Sequence, residues 1–291
     1  MYVVIGAGGF LGSQLIKSIL ENTQGEVLAA ARNDNIYGAE NSRVHKCIGD
    51  LTDEKYIDML TCEINNIGNA DILYTAACHN IDFVAEFPSV AQEMNIRIPE
   101  KFLDKVKSFG KLFFTSSDTV YGEGGTYLFK ESDSLEPVSI YGRQKATGEE
   151  VFNRSGACAL RLPLMFSESC TPAKKHFCDV VVEKILRGEE VQLSTGAIRS
   201  VLDYGSVADI ILELFSLESV PQILNVSGDD ALSKYDLGLM LAEKYNVSPD
   251  LIVPVENWGD FRDGAKRTDS TLLDNSLLKQ ILKKETIKFN L

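Results

Sequence analysis

The chain opens on an apolar run, Tyr2-Val-Val-Ile5. It ends in Gly6-Ala-Gly-Gly-Phe-Leu-Gly12 and passes at once into the helical pattern FLGSQLIKSIL. No other stretch limits the possible fold so much. The glycines at 6, 9 and 12 follow a G-x-x-G-x-x-G spacing. A strand that turns straight into a helix needs backbone angles that glycine adopts without steric cost. A bare backbone lets a pyrophosphate come close, and a helix N-terminus offers unpaired N–H groups and a favourable dipole. Glycine-rich turns also join strands to helices that bind nothing. Here a strand precedes, a helix follows and the turn lies at the start of the chain. These features mark Gly6, Gly9, Phe10, Leu11 and Gly12 as a dinucleotide-binding turn.

The pattern then repeats. Strand-like runs at 2–6, 26–32, 43–49, 70–76, 111–117 and 157–164 alternate with helical patterns at roughly 10–21, 53–65, 85–107 and 140–153. Alternation of this kind predicts a parallel sheet covered by helices on both faces, an α/β doubly wound fold. The second half is less regular. "KKHFCDVVVEKILRGEEVQL" reads as a helix and a short strand, "YGSVADIILELFSL" as an amphipathic helix, "QILNVSG" as a strand and "SKYDLGLMLAEKYN" as a helix. Residues 251–291 read as loop and helix. We expect a dinucleotide-binding domain from 1–166 plus 201–228, and a smaller α+β substrate-binding cap from 167–200 plus 229–291.

The tip of the second strand bears on which dinucleotide is bound. An acid about 20 residues past the glycine turn usually takes the adenine ribose hydroxyls. Here the strand ends Ala-Ala-Ala31-Arg32-Asn33, and Arg32 is placed to meet a 2′-phosphate. NADP(H) is therefore favoured. Asp34, two residues on, keeps NAD(H) open.

Charge and composition narrow the partners. The net charge is −13, with 44% hydrophobic and 24% charged residues, and neither nucleic acid nor an anionic membrane surface is an expected partner. No apolar run reaches the ~18 residues of a membrane span. Six cysteines without a C-x-x-C pair, beside three histidines, predict no metal site. Met1 leads straight into the first strand without a visible leader, so a reducing cytoplasm is the expected compartment.

The strand "KLFFTSS" ends in hydroxyls, and strand ends of a parallel sheet face the ligand crevice. Ser117 is therefore expected near the dinucleotide. Farther on, "SIYGRQK" places Tyr141 and Lys145 one helical turn apart, on one face. Such pairs are common on helices and often mean nothing. Beside a glycine turn and a hydroxyl-tipped strand, this one reads as chemistry. A neighbouring ammonium favours phenolate, so Lys145 is expected to pull the Tyr141 pKa down. Tyr141 would then carry the proton, Ser117 would hold the same substrate oxygen, and hydride would pass to or from the dinucleotide.

These residues resemble the extended short-chain dehydrogenases/reductases, from Tyr2 to about Asp274. The likeness rests on "GAGGFLG", "GDLTD", "TAACHN", "TSSDTVYG", "YGRQKATGEE" and "LRLP". The resemblance implies that Asp50 and Leu51 flank the adenine, and that Ala76 and Ala77 line the cofactor groove. It also implies that Lys145 holds the nicotinamide ribose and that Leu162 and Pro163 pack near the nicotinamide. Within the family the chain is most similar to dTDP-4-dehydrorhamnose reductases, through "AEFPSVAQEMN" and "RTDSTLLD". Asp118 is followed by Thr119, where dehydratases have Glu. Leu164 stands where the reductases usually have Trp, and "GAIRSVLDYGSVADI" looks like the epimerase branch, whose arginine binds substrate diphosphate.

The implied substrate residues are His79, Asn80, Asp118, Arg199 and Arg267, with Met165 and Phe166 as further pocket or core residues. The leading expectation is an NADP(H)-dependent reductase of a nucleotide-activated 4-keto-sugar. A nucleotide-sugar 4-epimerase with tightly held NAD and a non-catalytic dinucleotide sensor are the alternatives. The helix carrying Tyr141 and the one before it commonly form a dimer interface in this family, which implies a homodimer.

Overall fold

The computed structural model describes residues 1–171, 174–256, 264–268 and 270–291. The chain starts with β1 (Tyr2–Ile5), α1 (Phe10–Asn22), β2 (Val27–Ala31), β3 (Val44–Ile48), α2 (Glu54–Ile67) and β4 (Asp71–Tyr74). Next come α3 (Ile81–Glu86), α4 (Pro88–Gln92), a π-helical turn (Glu93–Arg97), α5 (Ile98–Lys105), β5 (Leu112–Ser117) and β6 (Leu128–Phe129). They are followed by α6 (Ile140–Asn153), β7 (Cys158–Leu162), β8 (Leu164–Met165), α7 (Phe177–Leu186), β9 (Val191–Ser194) and β10 (Ile198–Leu202). The chain continues with α8 (Tyr204–Ser216), β11 (Ile223–Asn225), β12 (Ala231–Leu232), α9 (Lys234–Lys244), β13 (Ile252–Val255), β14 (Ser270–Leu273) and α10 (Ser276–Leu282).

Seven strands form one sheet in the order β3-β2-β1-β4-β5-β7-β11, and every neighbouring pair is parallel. The order reverses between β1 and β4, which opens a crevice at the strands' C-terminal ends. The two-residue period of a strand sorts the side chains onto two faces. Val4, Leu73 and Phe113 share one buried cluster with Leu15, Ile16 and Ile19 of α1 and Val207, Ile211 and Leu214 of α8. Val3, Ile72 and Phe114 share the other, with Leu60 and Ile64 of α2, Phe102 of α5 and Phe152 of α6. Both faces are apolar because both are covered, and the α/β doubly wound expectation holds.

A smaller sheet runs β12-β10-β14-β6, with β8 alongside β10, and β9 pairs with β13. Its core joins Val181 and Ile185 of α7 to Leu237 and Leu241 of α9, Leu193 and Ile252.

Three expectations need correction. The helix expected over 85–107 is broken into α3, α4, the π turn and α5. Pro88 disfavours helical angles at the residue before it, and Phe87 takes φ −126°, ψ 61° between α3 and α4. Pro99 has no N–H to return to the Asn95 carbonyl, and the π turn lies next to it. The strand expected over 157–164 ends at Leu162, because Pro163 cannot donate to a ladder, and β8 resumes in a different sheet. The tail expected to be loop and helix supplies β13 and β14. Each is four residues long, too short to show a clear period.

Candidate active site

The first turn of the chain is built as its glycines require. Gly6 has φ +98°, a conformation that side-chain-bearing residues rarely adopt. A Cβ on Gly12 would lie 2.4 Å from the Gly6 carbonyl oxygen, so α1 can approach the β1 end only without one. α1 starts at Phe10, has no side-chain cap at Gly9 and carries no acid in its first turn. Its N–H groups and dipole are therefore left for an anion, and the turn fits a dinucleotide pyrophosphate. Leu11 is buried behind the turn.

At the β2 tip Arg32 is exposed, and the Asp34 carboxylate lies 3.6 Å from Lys46 Nζ. Asp50 is exposed past the β3 tip. The Thr52 backbone N–H, donated at 2.9 Å, holds its carboxyl below the usual range, and Arg32 adds to this. Leu51 packs partly against the second core. Ala76 and Ala77 are half-buried past β4, close to the Gly6 turn, where a Gly6 Cβ would lie 2.9 Å from the Ala76 nitrogen.

Ser117 ends β5, and Tyr141 and Lys145 lie on the first turns of α6. Ser139 caps that helix by accepting the Gly142 N–H at 3.0 Å. α6 is drawn tight against the loop after Ser117, where a Cβ on Gly142 would stand 2.3 Å from the Thr119 carbonyl oxygen. Ser117 and Tyr141 both line one cleft of about 1170 Å³. The Ser117 hydroxyl donates to Asp118 Oδ1 at 3.1 Å and accepts from the Thr119 hydroxyl at 3.0 Å.

The expected acidification of Tyr141 is not found. Its pKa is raised, first by burial, then by the negative charge of Asp118. Lys145 turns its ammonium to the Thr115 carbonyl at 2.7 Å and lies 5.9 Å from the centre of the Tyr141 ring. Burial pulls Lys145 down to about 7, against the opposing pull of Glu149. Spacing put the two residues on one face, but burial raises the one and lowers the other.

The rest of the cleft is charged, with Asp82, Asp118 and Glu256 among its lining beside four cations. Arg199, Lys234, Lys266 and Arg267 all line it. Arg199 Nε donates to Asp118 Oδ2 at 3.1 Å, and the two side chains form a nearly buried ion pair. Arg267 pairs with Asp82 at 3.0 Å. Lys234 is pulled down to about 8, by burial and then by Arg267 and Arg199.

Of the other expected residues, Pro163 and Met165 line the cleft, while Leu162 and Phe166 are buried in packing clusters. His79 and Asn80 sit at the entry to α3, where the Asn80 side chain is spent accepting the Phe83 N–H at 3.0 Å. Asp269, within the expected 267–274 segment, lies outside the described residues.

Sequence reasoning missed His176, Tyr204, Lys234 and Lys266, which line the same cleft. One signal was legible. Ser233 and Asp236 form a capping box, which fixes Lys234 as the first residue of α9.

A family model described as the RmlD substrate binding domain matches residues 1–290. A Xenopus laevis protein, methionine adenosyltransferase 2 subunit beta, is 24% identical over 264 residues, covering 87% of this chain and 74% of its own. The structure of a hypothetical dTDP-4-dehydrorhamnose reductase from Sulfolobus tokodaii superposes with TM-score 0.76 at 24% identity, covering all of this chain and 98% of that one. The Thermus thermophilus UDP-glucose 4-epimerase in complex with NAD superposes with TM-score 0.80 at 22% identity, over 99% and 95% of the two chains. From its first strand to its last residues, the chain belongs to the RmlD substrate binding domain family.

Proposed function

We propose that this chain is an NADP(H)-dependent reductase of a nucleotide-activated 4-keto-sugar. One observation carries the reading. Ser117 and Tyr141 share a cleft with Arg199, Lys234, Lys266 and Arg267, at the edge of the sheet where the glycine turn lies. The cations suit a diphosphate, and the two hydroxyls suit a carbonyl. Residues 1–166 with 201–228 hold the dinucleotide, and 167–200 with 229–291 close over the sugar nucleotide.

A bound nicotinamide dinucleotide supplies the hydride. Gly6, Gly9, Phe10, Leu11 and Gly12 take its pyrophosphate, Asp50 and Leu51 its adenine, and Ala76, Ala77, Leu162 and Pro163 the groove toward the nicotinamide. Lys145 takes the ribose. Arg32 takes the 2′-phosphate; its exposure, together with the lysine beside Asp34, supports NADP(H) over NAD(H). Arg199 and Arg267 receive the substrate diphosphate, and Asp118 holds Arg199 in place.

Tyr141 acts as an acid. A phenol whose pKa is raised keeps its proton at neutral pH and can deliver it to the nascent alkoxide oxygen. Ser117 donates to that oxygen once substrate draws its proton from Asp118. From the entry to α3, just before the cleft-lining Ile81 and Asp82, His79 meets the sugar side while Asn80 caps the helix. No helix among the described residues is long and apolar enough to cross a membrane, and we place the protein in the cytoplasm. Exposed Phe83, Phe87 and Val90 on and between α3 and α4 support a homodimer through that face.

The relatives that are named as a subunit of methionine adenosyltransferase favour a second reading, a dinucleotide-binding partner subunit without turnover. Incubating the protein with a panel of nucleotide 4-keto-sugars and NADPH or NADH separates the readings. A reductase consumes NADPH in step with one sugar. An epimerase purifies with NAD bound and shows no net consumption. A partner subunit binds dinucleotide and turns over none of the panel.

A further inference from the structure

His176 precedes α7 and was not singled out by any motif, yet it lines the cleft with Ser117 and Tyr141. Its ring is caged. It stands edge-on to Phe10 at 5.1 Å and to Tyr204 at 5.1 Å, with Phe166 at 6.3 Å. Its backbone N–H donates to Asp179 at 2.6 Å, and its Nδ1 accepts the Cys178 N–H at 3.3 Å. A nitrogen that accepts an N–H carries no proton, so the neutral ring is protonated at Nε2. Burial holds the imidazole pKa down to about 4, against the pull of Asp179. The ring is thus a neutral donor at pH 7. Among the described residues, nothing is hydrogen-bonded to Nε2.

Phe10 is the first residue of α1, the helix whose uncapped N–H groups meet the pyrophosphate in the reading above. The His176 ring, 5.1 Å from the Phe10 ring, therefore lies beside the residue that begins that helix. We propose that His176 is a phosphate-binding residue of the dinucleotide site, its Nε2–H donating to a phosphoryl oxygen opposite the α1 N-terminus. This rests on the dinucleotide reading. It adds that the segment leading into α7 takes part in holding the cofactor, not only the sugar nucleotide. The pyrophosphate is common to NADPH and NADH, so the contribution is the same for both.

Titration calorimetry on the purified full chain tests this with NADPH, NADH, UDP and dTDP as probes. The substitution His176→Asn keeps the acceptor that caps α7 but loses the Nε2 donor. The substitution His176→Gln places an amide N–H near the Nε2 position. We expect His176→Asn to weaken NADPH and NADH equally, by about tenfold. We expect His176→Gln to stay within a few-fold of the parent, and both nucleoside diphosphates to be unaffected. A purely structural His176 would show the reverse order, with His176→Asn tolerated, and that overturns the proposal. Loss confined to UDP or dTDP also overturns it, by moving the donor to the substrate diphosphate.

The unmodified protein gives an independent reading. With only three histidines in the chain, ¹⁵N-histidine NMR should show an Nε2–H that shifts on adding NADPH but not UDP. An unchanged resonance at saturating NADPH contradicts the proposal. If the parent binds neither NADPH nor NADH, the function proposed above fails as well. If the parent binds both and His176→Asn binds equally well, only the role of His176 fails.

Discussion

Lys145 carries an electrostatic cost of burial. It is buried without a carboxylate in ion-pair range among the described residues, and its pKa drops to about 7, while an unfolded lysine titrates near ~10.4. The unfolded chain therefore binds more protons between these values, and stability rises with pH across that window. The penalty is complete below about pH 7 and fades as pH rises toward 10. Lys145→Met should melt higher than the parent at pH 6–7 without nucleotide, with the gap closing by pH 9–10. Thermal melts across that range check it; a gap independent of pH would mean that the buried ammonium is not the source. The sequence showed Ser117, Tyr141 and Lys145 as a set because their spacing follows from strand ends and helical turns. It did not show which atom Lys145 would bond. That depends on the Thr115 carbonyl and on burial, which no local spacing encodes.

At the scale of elements, the site depends on how closely α6 packs on the loop after β5. Gly142 permits that contact, since a Cβ there would stand 2.3 Å from the Thr119 carbonyl oxygen and 2.9 Å from Pro137. Gly142→Ala should move Tyr141 away from Ser117. We expect a fall in kcat of about a hundredfold or more, with dinucleotide affinity little changed, because displacement by about an ångström costs that much in rate. Steady-state kinetics beside dinucleotide titration would measure both; unchanged kcat would show that the helix accommodates the methyl group without moving. The glycine turn, β1 to β5 and α6 were legible because their apolar periods are strong and their caps are explicit, as with Ser139. The breaks were less so. Pro88 and Pro99 were visible, but a helical period on both sides of Pro88 masked the turn at Phe87. β13 and β14 gain their order from partners distant in sequence, β9 and β10.

For the molecule as a whole, charge is unevenly placed. The chain carries −13, yet in one cleft Arg199, Lys234, Lys266 and Arg267 outnumber Asp82, Asp118 and Glu256. Such focusing attracts an anion locally and weakens as salt screens it. Raising ionic strength from about 0.05 to 0.5 M should raise KM for the sugar nucleotide several-fold and leave kcat nearly unchanged, as an initial-rate series would show; a KM insensitive to salt would contradict it. Composition predicted no such cluster, because its members come from β10, α9 and the stretch before β14.

The most direct measurement concerns Tyr141. Tyr141→Phe keeps the ring and its packing and removes only the transferable proton. With a 4-keto-sugar nucleotide that the parent reduces, absorbance of the reduced nicotinamide would be followed in single turnover for parent and variant, each saturated with NADPH. The account predicts a rate at least ~100-fold lower in the variant, with NADPH bound as tightly as in the parent. Equal rates would show that the proton comes from elsewhere, and the assignment of this cleft as a Tyr141-driven reductase site would fall.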